Sequence, residues 1–187
     1  MRAKSKKGDP SKVFLIGDLE CGEDTISVAE NCVQMLVAAH RKTPAGKPLT
    51  LFIACQGGYL NYAVAVGSTI DGIRRQGRKI VGHLLGAAES GGFFILQHCD
   101  TRVAEYGTYL MAHEVQGLPM TCTSTTLKHA KFCQKLELAQ ISLWSRRTGK
   151  PVEYYLSKMD EKDWNMTPDE ALIEALIDLA IPAPTFP

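Results

Sequence analysis

Three short apolar runs, Val13–Ile16, Leu49–Ala54 and Ile80–Leu85, recur through the first half of the chain, and stretches of helical periodicity separate them. Runs of this length, bounded by Gly, Asp, Pro or Lys, suit strands buried in a sheet. Between the first two, Ile26, Ala29, Val33, Leu36 and Val37 repeat at helical spacing, with Asp24 or Thr25 as the expected cap. A second helix is expected from about Asn61 to Arg75, stopped at Gly77. Parallel neighbours need a long crossover, so strand–helix–strand alternation implies a parallel sheet. The expected fold class is α/β, a mostly parallel sheet flanked by helices, with Leu49–Ala54 covered on both faces. Ligands in such sheets bind at the carboxyl ends of the strands.

Beyond the third run, Phe93–His98 continues as a buried helix, and Thr101–Ala104 and Tyr109–Ala112 read as short strands. A long helical pattern starts at Thr125 or Thr126 and stops at Thr148-Gly149-Lys150-Pro151. Val152–Met159 is a short helix, Asp160–Asn165 a polar turn, and Thr167-Pro168-Asp169-Glu170 a helix start with a capping box. The domain organisation expected is a flexible basic arm over 1–12, a single domain over 13–181, and a proline-rich tail over 182–187.

The stretch Gly86-Ala-Ala-Glu-Ser-Gly-Gly-Phe-Phe-Ile-Leu96 carries the chemistry. It reads as strand, tight turn, helix, with Ser90 at the helix start. The first N–H groups of a helix have no internal partner, and its dipole favours negative charge there. Small neighbours let a carbonyl approach the backbone closely. These are the needs of a nucleophilic serine with a built-in oxyanion donor. The same position also suits a serine that only caps a core helix. A nucleophile needs a base, and the base an orienting acid. His113 directly follows the strand Tyr109–Ala112 and is the best-placed base; His40, His83, His98 and His129 sit on helices or within a strand. Asp160, Glu161 and Asp163 share one polar turn, and residue types alone do not choose among them.

Composition narrows the partners. The 187 residues suit one domain, and a net charge of +1 gives no global field for nucleic acid or an acidic membrane. No apolar stretch is long enough to span a bilayer, and the basic N-terminus lacks the apolar core of a secretory signal. The six cysteines include no C-x-x-C pair, so no metal site is expected, and Cys32, Cys55 and Cys133 stand in apolar context as reduced thiols do. A cytoplasmic protein without cofactor is the reading.

Together, Gln56-Gly57-Gly58, Ala87-Ala88-Glu89-Ser90-Gly91, Leu110-Met111-Ala112-His113, Thr148-Gly149-Lys150-Pro151 and Asp163-Trp164-Asn165-Met166-Thr167-Pro168-Asp169-Glu170-Ala171 resemble the successive motifs of the Clp protease proteolytic subunit. The resemblance spans about Val13 to Ile181. It implies a ClpP/crotonase-like spiral of ββα units with a protruding handle, here the long helix from Thr125. It further implies Ser90 as nucleophile, His113 as base, Asp163 as orienting acid, and Gly58 and Gly91 as oxyanion donors. Gly57, Tyr59 and Leu60 would bind substrate by strand addition. The implied working form is a homo-oligomer, a heptameric ring stacked into a tetradecamer, fed polypeptides by an AAA+ ATPase unfoldase.

The chain also departs from the family pattern. Cys55-Gln56-Gly57-Gly58 stands where the family usually has Ser-Pro-Gly-Gly, and Glu89 replaces a small residue beside the nucleophile. Glu114-Val115-Gln116-Gly117 alters the segment after His113, Lys162 stands where an arginine is common, and the N-terminal arm lacks the apolar character of the family's axial loops. Two alternatives follow: a non-catalytic ring subunit pairing with an active paralogue, and a crotonase-like enzyme whose oxyanion donors would stabilise a thioester enolate. A Ser-Lys dyad is disfavoured because no lysine is placed as well as His113.

Overall fold

The computed structural model describes residues 9–20, 26–116, 123–160 and 162–185. Five parallel strands form the main path of a seven-stranded sheet. They are β1 (Lys12–Ile16), β2 (Leu49–Cys55), β3 (Ile80–Glu89), β4 (Thr101–Ala104) and β7 (Leu179–Ala180), adjacent in that order. Off this path, β5 (Tyr109–Ala112) pairs parallel with the second half of β3, and β6 (Trp164–Met166) pairs antiparallel with β5. The α/β class and the mostly parallel sheet are as expected.

The helices are α1 (Val28–Lys42), α2 (Leu60–Arg75), α3 (Gly91–Gln97), α4 (Thr123–Thr148), α5 (Val152–Met159) and α6 (Pro168–Ile173). Ser27 caps α1 by accepting from the Glu30 N–H, whereas the expected caps Asp24 and Thr25 lie outside the described residues. Thr167 and Glu170 form the expected capping box of α6, with Pro168 in its first turn. Lys12, read as part of the basic arm, opens β1, and Asp9 before it is ion-paired with Lys47. Residues 1–8 of the arm lie outside the described residues.

The core lies between the sheet and its helices. Val13, Leu15, Leu51, Ile53, Ile80 and Leu84 from the strands meet Leu36, Val66, Ile70 and all of α3. Among the described residues, no element covers the opposite face of the sheet. Phe14, Phe52, His83, Val103 and Leu179 align there in one row across five strands. Phe14 and Leu179 are exposed and Phe52 is half-buried, so β2 is covered on one face rather than two.

Three elements differ from the sequence reading. Gly86–Glu89 is not a tight turn; β3 runs on to Glu89 because β5 supplies a partner for Ala87, Ala88 and Glu89. A register shift lets it do so, with Ile53 opposite Leu84 but Cys55 opposite Ala88. Second, the polar turn ends early, and Trp164–Met166 is a strand that depends on β5 for its hydrogen bonds. Third, Leu179–Ala180 adds a strand at the far edge. The long helix begins at Thr123; its C-terminal half buries Ile141 and Trp144, and its N-terminal half leaves Leu127 and Phe132 exposed.

Candidate active site

Ser90 sits between β3 and α3 with φ 48° and ψ −114°. A non-glycine residue with positive φ is held there by its surroundings against a steric cost. Two bonds hold it: the Ser90 N–H donates to the Met111 carbonyl across to β5, and the Ser90 carbonyl accepts from the Phe94 N–H. Its hydroxyl makes no cap bond to α3. An N-cap serine has β-region dihedrals and a bonded side chain, so the capping role considered for Ser90 is overturned. The Phe94 bond is the first of the helix, which leaves the N–H groups of Gly91, Gly92 and Phe93 without an intrahelical partner.

The loop after β2 lies against this turn. Gly57 and Gly58 have φ of 111° and 128°, conformations that L side chains rarely adopt. A Cβ on Gly57 would lie 2.7 Å from Ser90 Cβ and 3.0 Å from the Gly91 nitrogen. The loop and the start of α3 are therefore in backbone contact. Leu19 holds the loop's outer side: its N–H donates to the Gly57 carbonyl at 2.6 Å, and its carbonyl accepts from the Tyr59 N–H at 2.8 Å. The bridge uses the groups on either side of the Gly58 N–H and leaves that donor out of the pairing.

Tyr59 and Leu60, expected to bind substrate by strand addition, follow the glycine loop directly. The Tyr59 N–H is bonded to the Leu19 carbonyl, and Leu60 is the first residue of α2.

His113 and Asp163 reach the same end of the sheet on adjacent strands. β5 pairs with β3 so that Met111 faces Glu89, and with β6 so that Ala112 faces Trp164. His113 directly follows Ala112 and Asp163 directly precedes Trp164, so the two flank the same end of this antiparallel pair. Asp160 lies three residues before Asp163, at the end of α5, and Glu161 lies outside the described residues. Among the described residues no hydrogen bond joins Ser90 to His113 or His113 to Asp163. His113 Nδ1 instead lies 2.5 Å from the Glu114 carbonyl oxygen, and Asp163 is exposed.

The remaining histidines are engaged elsewhere. His40 bonds Gln76 and Arg78, His83 bonds Glu105, His98 bonds Asp71, and His129 contacts Cys133. The buried thiols are unreactive: burial pushes Cys32 and Cys99 up to about 12 and Cys55 to about 11. No cluster of metal-ligating side chains and no helix long and apolar enough to cross a membrane occurs among the described residues.

Glu89 faces away from Ser90 and accepts the Tyr109 hydroxyl at 2.7 Å. Three contributors escaped the sequence reading. Met111 anchors the Ser90 turn, Leu19 zips the glycine loop, and Asp18 accepts the Gln56 N–H at 3.2 Å. They contribute mainly through backbone geometry, which residue type does not reveal; Asp18 alone, ending a strand run beside Gly17, carried a local signal. The family model described as Clp protease matches residues 12–183. No curated protein matches the chain.

Proposed function

The chain belongs to the Clp protease family, a family of peptidase hydrolases, and from that premise we propose that it is a serine-type endopeptidase working by an acyl-enzyme. In this reading His113 takes the Ser90 proton as Oγ attacks the scissile carbonyl, and Asp163 fixes the His113 tautomer. The Gly58 and Gly91 N–H groups hold the oxyanion, and His113 returns the proton to the leaving amine. Water then releases the acyl group by the same route. The observation that carries the reading is the backbone of Ser90. It is held at positive φ, uncapped, against Gly57 and the unpaired first turn of α3. A structural serine gains nothing from that strain, whereas a nucleophile gains exposure of its hydroxyl beside backbone donors.

Family membership supports a ring-forming homo-oligomer that receives unfolded polypeptides from an AAA+ ATPase. The proposed assembly is a heptameric ring, stacked into a tetradecamer through α4 as handle, in the cytoplasm. The open row of Phe14, Phe52 and Leu179 is the surface this reading gives to the neighbouring subunit. Gly57, Tyr59 and Leu60 are the segment that this reading gives to the extended substrate.

One observation favours the second reading, a non-catalytic ring subunit. His113 Nδ1 faces the Glu114 carbonyl rather than Asp163. The first reading requires that ring to turn toward Asp163 in the assembled, substrate-bound form, as catalytic bonds tighten on substrate binding. A fluorophosphonate probe separates the two. Stoichiometric labelling of the assembled protein, abolished by Ser90→Ala, is the expected result. Assembled protein that stays unlabelled under conditions that label another serine peptidase is a structural subunit.

A further inference from the structure

Asp163 stands at the start of a very short strand. β6 has three residues and, among the described strands, pairs with β5 alone. The Asp163 side chain is exposed and accepts no hydrogen bond among the described residues. Its placement therefore depends on the register of β6. Ala112 faces Trp164, and Leu110 faces Met166. Leu110, Ala112 and Met166 are buried and Trp164 packs against the core, so strand alternation puts His113, Asp163 and Asn165 on the other side. A slip of one residue would turn Asp163 inward, away from the face that carries His113.

We propose that Trp164 is a positioning residue: held by Tyr155 and Lys158, it pins the register of β6 and so keeps Asp163 on the face of His113. The inference rests on the reading of Ser90, His113 and Asp163 as the catalytic set. The Trp164 ring lies 6.2 Å from that of Tyr155, which is fully buried and bonded through its hydroxyl to Thr148. Tyr155 meets Trp144 at 5.7 Å, and Trp144 meets Phe93 at 5.0 Å, both edge-on. These are the separations of attractive aromatic pairs. Phe93 lies in the first turn of α3, three residues after Ser90. The aromatic column thus joins the helix of the nucleophile to the strand of the acid. A cation completes the clamp. Lys158 Nζ lies 5.5 Å from the centre of the Trp164 ring and 5.2 Å from that of Tyr154. It also stands 4.0 Å from Glu174 Oε1, which accepts the Tyr154 hydroxyl at 2.7 Å.

The test compares hydrolysis of a fluorogenic peptide by wild type, Trp164→Leu, Trp164→Phe, Lys158→Met, Asp163→Asn, the double variant of Trp164→Leu with Asp163→Asn, and Ser90→Ala. Active sites are titrated with the fluorophosphonate and thermal midpoints recorded. Trp164→Leu lowers kcat per titrated site about 10- to 100-fold, with KM within about twofold, because the acid acts through His113 in the transition state. Trp164→Phe keeps a ring against Tyr155 and Lys158 and restores kcat to within about threefold of wild type. Lys158→Met keeps the stem and loses the cation; its kcat falls about three- to tenfold, again with KM little changed. On the Asp163→Asn background Trp164→Leu costs nothing further, because both changes remove one function.

Wild-type kcat in Trp164→Leu and Lys158→Met, with Ser90→Ala inactive, overturns the positioning role and leaves the nucleophile standing. A lowered thermal midpoint with unchanged kcat per site makes the clamp merely structural and also overturns it. So does an undiminished loss on the Asp163→Asn background, since Trp164 would then act by another route. Wild type with no Ser90-dependent labelling or hydrolysis overturns both readings. If Trp164→Leu fails to fold, Lys158→Met, on a side chain 38% exposed, decides alone.

Discussion

His98 shows at residue scale how a largely buried side chain sets a pH limit. It lies where α3 ends, its ring edge-on to Phe94 and its Nδ1 2.9 Å from an Asp71 oxygen. Nε2 is buried without a partner. Burial holds its pKa below the ordinary histidine value, and the Asp71 carboxylate only partly opposes that shift. The folded state therefore keeps His98 neutral where the unfolded chain binds a proton. Stability from this group is fully present above the unfolded value of about 6.5 and is lost as pH falls from there toward the folded value. The denaturation midpoint of wild type should drop between neutral pH and about pH 5 more than that of His98→Gln. Equal drops would remove His98 as the cause. The histidine was legible in the sequence, but its burial was not. That depends on Gly67 of α2, where a Cβ would lie 3.0 Å from the imidazole ring.

Elements here are joined largely by side chains that satisfy carbonyls at their ends. Arg147, in the last turn of α4, donates to the carbonyls of Gln97, Cys99 and Asp100, where α3 gives way to β4. It replaces the intrahelical donors that the end of α3 lacks and ties α4 to the sheet. Arg147→Ala should destabilise the fold by roughly 1–3 kcal/mol, because it leaves buried acceptors unpaired. Equilibrium urea denaturation measures this, and a change below about 0.5 kcal/mol would place the tether elsewhere. The sequence announced the helices well, since periodicity is local, although it placed the α1 cap at Asp24 or Thr25 rather than Ser27, and it announced the long strands too. It missed β6 and β7, whose three and two residues carry no period of their own. Such strands exist only because a partner edge waits for them.

At the scale of the whole molecule, one face of the sheet is left uncovered among the described residues. Phe14 stacks on Phe52 with ring centroids 5.1 Å apart, Phe52 packs on His83, and Phe14 remains 44% exposed. An apolar row of this kind is costly to leave in water and is what a neighbouring subunit would cover. Under the proposed assembly, Phe14→Asp should lower the native mass toward that of one chain. Its loss of exposed surface should leave the thermal midpoint of the isolated chain within a few degrees. An unchanged native mass would remove this face from the contact. The alternating pattern of strands and helices, the capping box that starts α6 and the serine ahead of Gly91-Gly92 were fixed by the sequence alone, because each depends on neighbours within a few residues. The tertiary structure decided the rest. It ran β3 past Leu85 to meet β5, turned Ser90 into a strained and uncapped position, and gave Leu60 to a helix. It also brought His113 and Asp163 to adjacent strands and folded Glu89 back onto Tyr109. Each of these outcomes is set by strand register across segments distant in sequence, and no local pattern encodes a register whose partner strand lies tens of residues away.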